Sequence, residues 1–189
     1  MKCPHCCFSC TEDGEDMSFD TFKKACSYGS EFISIGGGEP TLHPELERFI
    51  FHAMAQKSVT NVWMATNGSN TELSLTLLEL ATKTNLFHIT LSNDIYHDPI
   101  DNNLIDKFVD LSFEHKSVEV RNVEGAEANA GRCDFGEDAC VCPGLFIGTD
   151  GTAYGCGCIG AKVIGNVFNG YKYDDSKGDL CSLGKWYKK

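Results

Sequence analysis

"EFISIGGGEPTLHPE", residues 31–45, begins with a short β-branched and aromatic run and breaks at three consecutive glycines. The run reads as a buried strand, the glycines as the loop after it, and Pro44 as the start of a helix. Three glycines let backbone approach a ligand with no Cβ in the way. Glu39 and the loop carbonyls supply acceptors suited to a cationic group such as an amine. A tight strand-to-helix turn with an ordinary surface glutamate would look the same locally, so the flanking segments decide.

Those segments alternate. Ser18 caps a predicted helix over 19–27, with Asp20 in its first turn. "HPELERFIFHAMAQK" (43–57) has apolar residues at helical spacing. "VTNVWMATNGS" (59–69) reads as strand and turn, "TELSLTLLELATK" (71–83) as helix, and "LFHITLSND" (86–94) as strand. "NLIDKFVDLSF" (103–113) reads as helix and "SVEVRNV" (117–123) as strand. This alternation implies parallel strands joined by crossover helices, with four strands before about residue 123. From Gly125 the chain becomes rich in glycine and cysteine, and "LFIGTDGTAYGC" (145–156) reads as two short strands about an Asp150-Gly151 turn. The expected organisation is an α/β domain over 1–124 and a small Cys-bearing extension over 125–189.

The chain has 189 residues, 42% of them hydrophobic, which suffices for one domain with a real core. It shows no signal-peptide run and no stretch near the ~20 apolar residues of a membrane helix, so a cytoplasmic protein is expected. The net charge of −11 argues against broad binding to nucleic acid or to anionic membrane. Lys185, Lys188 and Lys189 read as a solvated tail. The 11 cysteines are an odd number, and a reducing compartment favours metal ligation over structural disulfides.

Four of these cysteines stand in "MKCPHCCFSC", residues 1–10. Cys3, Cys7 and Cys10 have the spacing C-x3-C-x2-C, and three thiolates on a short loop can hold a 4Fe–4S cluster with one iron left open. Cys3 with Cys6, and Cys7 with Cys10, are equally usable zinc pairs. From these ten residues alone, cluster and zinc both stand.

The cysteine run followed one strand later by Gly37-Gly38-Glu39-Pro40 resembles the radical S-adenosylmethionine (SAM) superfamily. The resemblance extends from residue 3 to roughly residue 170. It implies a partial (β/α) barrel, here lacking the usual first strand, with a SAM-binding 4Fe–4S cluster on Cys3, Cys7 and Cys10. The Gly37–Pro40 loop would contact the methionyl amine of SAM. Asn67 in "ATNGS", Ser92 and Asp94 in "LSNDIYHDP", and Arg121 match strand-end positions that would approach the ribose and methionine portions, Arg121 pairing with the carboxylate. A polar residue merely closing a strand gives the same pattern at each of these positions. Members of the family also read C-N-x-x-C-x-x-C. In that register Cys3 and Cys6 are the last two ligands, and the first lies upstream of Met1.

Six cysteines follow residue 130: Cys133, Cys140, Cys142, Cys156, Cys158 and Cys181. A hairpin between Cys142 and Cys156 brings both sulfurs within reach of one metal. "GRCDFGEDACVCPG" and "IGNVFNG" resemble the SPASM or twitch extensions of radical SAM enzymes. The resemblance implies one auxiliary iron–sulfur cluster on Cys140 or Cys142 with Cys156, Cys158 and Cys181, or with Cys133 replacing one of them. Six sulfurs are too few for two fully Cys-ligated clusters. A zinc knuckle would staple the same hairpin. Cys26 is expected to pack in the core.

The implied activity is that of a maturase-type oxidoreductase. SAM is reductively cleaved to a 5′-deoxyadenosyl radical, which abstracts hydrogen from a peptide or protein side chain, or from a small molecule. Electrons would come from flavodoxin or ferredoxin. The competing expectations are a zinc-stabilised, non-enzymatic binding module and a truncated, inactive homologue.

Overall fold

The structure, a computed structural model, describes residues 2–125, 131–136, 145–157 and 161–172. Its contacts divide the chain into two compact units, one of Tyr28–Glu124 and one combining Met1–Ser27 with Gly125–Lys189.

The Tyr28–Glu124 unit is a parallel sheet with helical crossovers. Its strands are β1 (Phe32–Ile35), β2 (Asn61–Thr66), β3 (Phe87–Ser92) and β4 (Val118–Arg121), ordered β1-β2-β3-β4. Every neighbouring pair is parallel, with Ile35 opposite Met64, Thr66 opposite Leu91, and Ser92 opposite Arg121. This is the partial α/β fold that the alternation implies. Among the described residues no strand pairs with the outer edge of β1.

Connections are made by a short 3-10 turn at Pro40–Leu42 and the helices α2 (Leu46–Met54), α3 (Thr71–Lys83) and α4 (Asn102–Glu114). The 3-10 turn is not evident in the sequence. Asn70 and Asp101 cap α3 and α4 through their side chains, satisfying N–H groups that the first helical turn leaves orphaned. Pro44 lies two residues before α2, whose cap position is Glu45. Side chains alternate across each strand. Val62 and Met64 of β2 and Phe87, Ile89 and Leu91 of β3 are fully buried, as are Ile50, Ala53, Leu104 and Phe108 of the helices.

In the other unit, α1 (Phe19–Cys26) is capped by Ser18, whose hydroxyl accepts the Thr21 N–H at 3.1 Å. A second, antiparallel sheet comprises β5 (Phe146–Ile147), β6 (Thr152–Tyr154), β7 (Val163–Asn166) and β8 (Gly170–Tyr171). β5 and β6 pair about the expected turn, where Gly151 has φ +81° and Asp150 accepts the Thr152 N–H at 2.8 Å. β7 and β8 extend the hairpin beyond what the sequence suggests. Cys140, Cys142, Cys158 and Cys181 lie outside the described residues. No described helix is long and apolar enough to cross a membrane.

Candidate functional site

In the parallel unit, the sequence-predicted residues fall at the C-terminal ends of strands, where open α/β sheets bind ligands. Gly36, Gly37 and Gly38 follow β1. A Cβ at any of the three would meet no described residue within 4 Å, and Gly37 has φ +135°. The loop therefore borders open space, and Gly37 holds a backbone conformation that favours glycine.

Glu39 is buried and already engaged. Its Oε1 accepts the Thr41 N–H at 3.1 Å, the Thr41 hydroxyl at 2.6 Å and the Thr66 hydroxyl at 2.6 Å. Its Oε2 accepts the Asn67 N–H at 2.8 Å. Asn70 adds a bond from its Nδ2 to the Thr41 carbonyl. The carboxylate thus ties the loop after β1 to the end of β2. Pro40 opens the 3-10 turn and is buried. The Asn67 side chain accepts from the N–H and the hydroxyl of Ser69, shaping the turn into α3.

At the ends of β3 and β4, Arg121 Nε donates to the Ser92 hydroxyl at 3.2 Å, and its guanidinium lies 5.5 Å from the centre of the Trp63 ring. The Trp63 indole N–H donates to Thr90 Oγ1, which donates in turn to Glu119 Oε2, both at 3.0 Å. Burial pushes the Arg121 pKa below its ordinary value, while the charges of Glu119 and Asp94 act the other way. A guanidinium stays protonated through such a shift. The Asp94 side chain is fully buried. Its Oδ1 lies 2.9 Å from His97 Nδ1 and accepts the Tyr96 N–H, whereas its buried Oδ2 has no hydrogen-bond partner among the described residues.

In the other unit, Cys3, Cys6, Cys7 and Cys10 are half-buried and in no disulfide. The loop turns through the Cys6 N–H to the Cys3 carbonyl and the Ser9 N–H to the Cys6 carbonyl, with Ser9 at φ +52°. Cys6 Sγ accepts the Cys10 N–H at 3.4 Å. The thiol–thiol hydrogen bond between Cys6 and Cys10 lowers the pKa of Cys6 and raises that of Cys10; the Cys10 and Phe8 N–H groups and the Arg132 charge also favour the Cys6 thiolate. Cys7 packs against buried Cys156 and Ala161, beside Tyr154. Phe8 stacks on Phe146 of β5 with ring centres 5.5 Å apart. Cys133 is buried as well.

The family model of the Radical SAM superfamily matches residues 1–111. The chain belongs to the radical SAM superfamily. Among solved structures, this radical SAM chain is similar to BtrN, crystallised in complex with AdoMet and 2-DOIA. The two are 16% identical, the match covers 89% of this chain and 73% of that one, and the TM-score is 0.63. At that identity the likeness concerns the fold. No curated protein matches.

Membership implies a 4Fe–4S cluster and SAM, and the donor set fits them. Sulfur ligands bind iron as thiolates, and residues 3–10 carry four cysteines, none of them in a disulfide. Two groups important to the site were not evident in the sequence. One is Arg132, which reaches the cysteine loop across more than 120 positions. The other is the Trp63–Thr90–Glu119 chain on β2, β3 and β4. Neither has a local signal, since each depends on residues brought together by folding.

Proposed function

We propose that the protein is a SAM-dependent radical enzyme whose cysteine loop holds a 4Fe–4S cluster through Cys3, Cys7 and Cys10, and that it acts on a peptide or protein side chain. When bound, the cluster supplies the electron that splits the sulfonium bond of SAM, and the resulting radical chemistry belongs to the cofactor. The Gly36–Gly38 carbonyls would accept the methionyl amine. Glu39 holds that loop in place instead of meeting the amine itself. Arg121, aimed by Ser92 and Trp63, pairs with the carboxylate. Ser92 and Asp94 would approach the ribose and methionine portion, and Asn67 shapes the turn beside them.

The observation that carries this reading is the C-x3-C-x2-C spacing of Cys3, Cys7 and Cys10, none in a disulfide, in a chain of this family. A reductant such as flavodoxin or ferredoxin supplies the electron. A cytoplasmic setting accords with free thiols. A peptide substrate and one auxiliary cluster, drawing on Cys156 with Cys140, Cys142, Cys158 and Cys181, rest on the resemblance of the C-terminal region to SPASM and twitch extensions.

A second reading takes Cys3 and Cys6 as the last two cluster ligands. It is favoured by the N–H bond to Cys6 Sγ and by the packing of Cys7 against Cys156 and Ala161.

Anaerobic reconstitution with assays for iron, sulfide and zinc, followed by reductive conversion of SAM to 5′-deoxyadenosine, tests the function. Brown protein that forms 5′-deoxyadenosine is expected. Colourless zinc protein would instead point to a binding module, and a cluster that never cleaves SAM to an inactive homologue. About four irons per chain would remove the auxiliary cluster, whereas two 4Fe–4S clusters need about eight. Cys3→Ala should be inactive in either register. A dead Cys7→Ala with a working Cys6→Ala selects the first ligand set, and the reverse selects the second. Cys156→Ala should spare SAM cleavage but damage product formation.

A further inference from the structure

Three backbone carbonyls of the cysteine loop converge on one distant residue. The Arg132 N–H donates to the Cys6 carbonyl at 3.0 Å, Nη1 donates to the Cys3 carbonyl at 2.7 Å, and Nη2 donates to the Cys10 carbonyl. The side-chain bonds span 129 and 122 positions of sequence. Gly131 makes the approach possible. It has φ +61°, and a Cβ there would strike the Cys7 backbone and lie 2.7 Å from the Cys6 carbonyl oxygen. No larger residue fits at 131 without moving the N–H of Arg132 away.

We propose that Arg132 is the positioning residue of the cysteine loop: it clasps the carbonyls of Cys3, Cys6 and Cys10, fixing the loop before metal arrives and placing a permanent positive charge beside the group the loop carries. The loop holds a non-glycine residue, Ser9, in the left-handed region, a conformation that persists only where surrounding contacts hold it. A guanidinium suits the task. Its planar fork presents several N–H donors in fixed directions, whereas an ammonium is a point charge that cannot hold two separated carbonyls in the same way. The charge has a second effect, which rests on the cluster assignment above. A cation beside an iron–sulfur cluster favours the reduced, more negative state, so Arg132 raises the potential and eases reduction.

Arg132→Gln and Arg132→Lys separate the two roles. In metal-free protein, amide hydrogen exchange of the peptide over 2–10 reports the clasp, and exchange across β1–β4 reports whether the fold survives. Arg132→Gln should exchange at least about tenfold faster in the 2–10 peptide, with β1–β4 unchanged and Arg132→Lys intermediate. Equal exchange in all three proteins overturns the clasp.

After anaerobic reconstitution, Arg132→Gln should lose iron to a chelator faster than wild type and show a lower midpoint potential by EPR-monitored titration. Arg132→Lys, which keeps the charge, should restore most of the potential but only part of the iron retention. A potential unchanged by Arg132→Gln overturns the electrostatic role. Wild-type protein that binds no cluster would sink the cluster assignment and the electrostatic role together, while the exchange result still decides the clasp.

Discussion

The Glu39 carboxylate accepts the backbone N–H of Asn67 at 2.8 Å, joining the loop after β1 to the end of β2 across 28 positions. With three further bonds from Thr41 and Thr66, the buried side chain gathers four directed donors. Hydrogen bonds to a charged acceptor are among the stronger ones, and donors left without it pay a desolvation cost.

Glu39→Gln places an amide NH2 among donors, so one N–H faces another. The variant should lose about 1–3 kcal/mol of stability, read as a lower urea midpoint at unchanged m-value. SAM affinity should fall with it, because the glycine loop loses its anchor. A variant with native stability would show that the latch contributes nothing.

Gly38→Ala separates folding from ligand binding. A Cβ at Gly38 meets no described residue within 4 Å, and its φ lies outside the left-handed region, so the fold should tolerate the change. A ligand lying against the loop would not. The expected result is a native urea midpoint with SAM binding weakened at least about tenfold, equivalent to ~1.4 kcal/mol. Unchanged SAM binding would remove the glycine loop from the cofactor site.

Arg121→Gln tests the assigned carboxylate partner. Wild type should bind SAM more tightly than decarboxylated SAM. The variant should lose most of that preference, and its affinity for the decarboxylated compound should barely move. An equal loss for both compounds would mean that Arg121 acts only through its stacking on Trp63.

Cys26 gives a pH signature independent of any cofactor. Burial pushes its thiol up to about 11, above the usual thiol value of about 8.5. A raised folded pKa means that the folded state holds the proton longer. The contribution is therefore complete below the unfolded value and lost as pH rises through about 11. Between pH 8 and 11 the urea midpoint of wild type should fall more steeply than that of Cys26→Ala, and at pH 8 Cys26 should resist alkylation while the protein stays folded.

Much of the architecture was legible because it is local. The helix over Thr71–Lys83 follows its apolar spacing, and the strands at 61–66 and 87–92 follow their β-branched and aromatic runs. The short strands β7 and β8 were not read from the sequence, where Gly165 and Gly170 interrupt the apolar runs. The cysteine spacing and the Gly-Gly-Glu-Pro loop identified the family, which the family match bears out.

Side-chain engagement was another matter. Nothing in "GGGEPT" says that Glu39 is held by Thr66 and Asn67, and nothing in "MKCPHCCFSC" says that Cys7 packs with Cys156 or that Arg132 gathers three carbonyls. The sequence by itself determined the order of the elements, the four parallel strands and the supply of thiols, because hydrophobic period, caps and glycine breaks act within a few residues. Only the tertiary structure decided which polar groups meet, because a hydrogen bond depends on angstrom-scale distance, and residues 28 or 129 positions apart reach that distance only once the chain has folded.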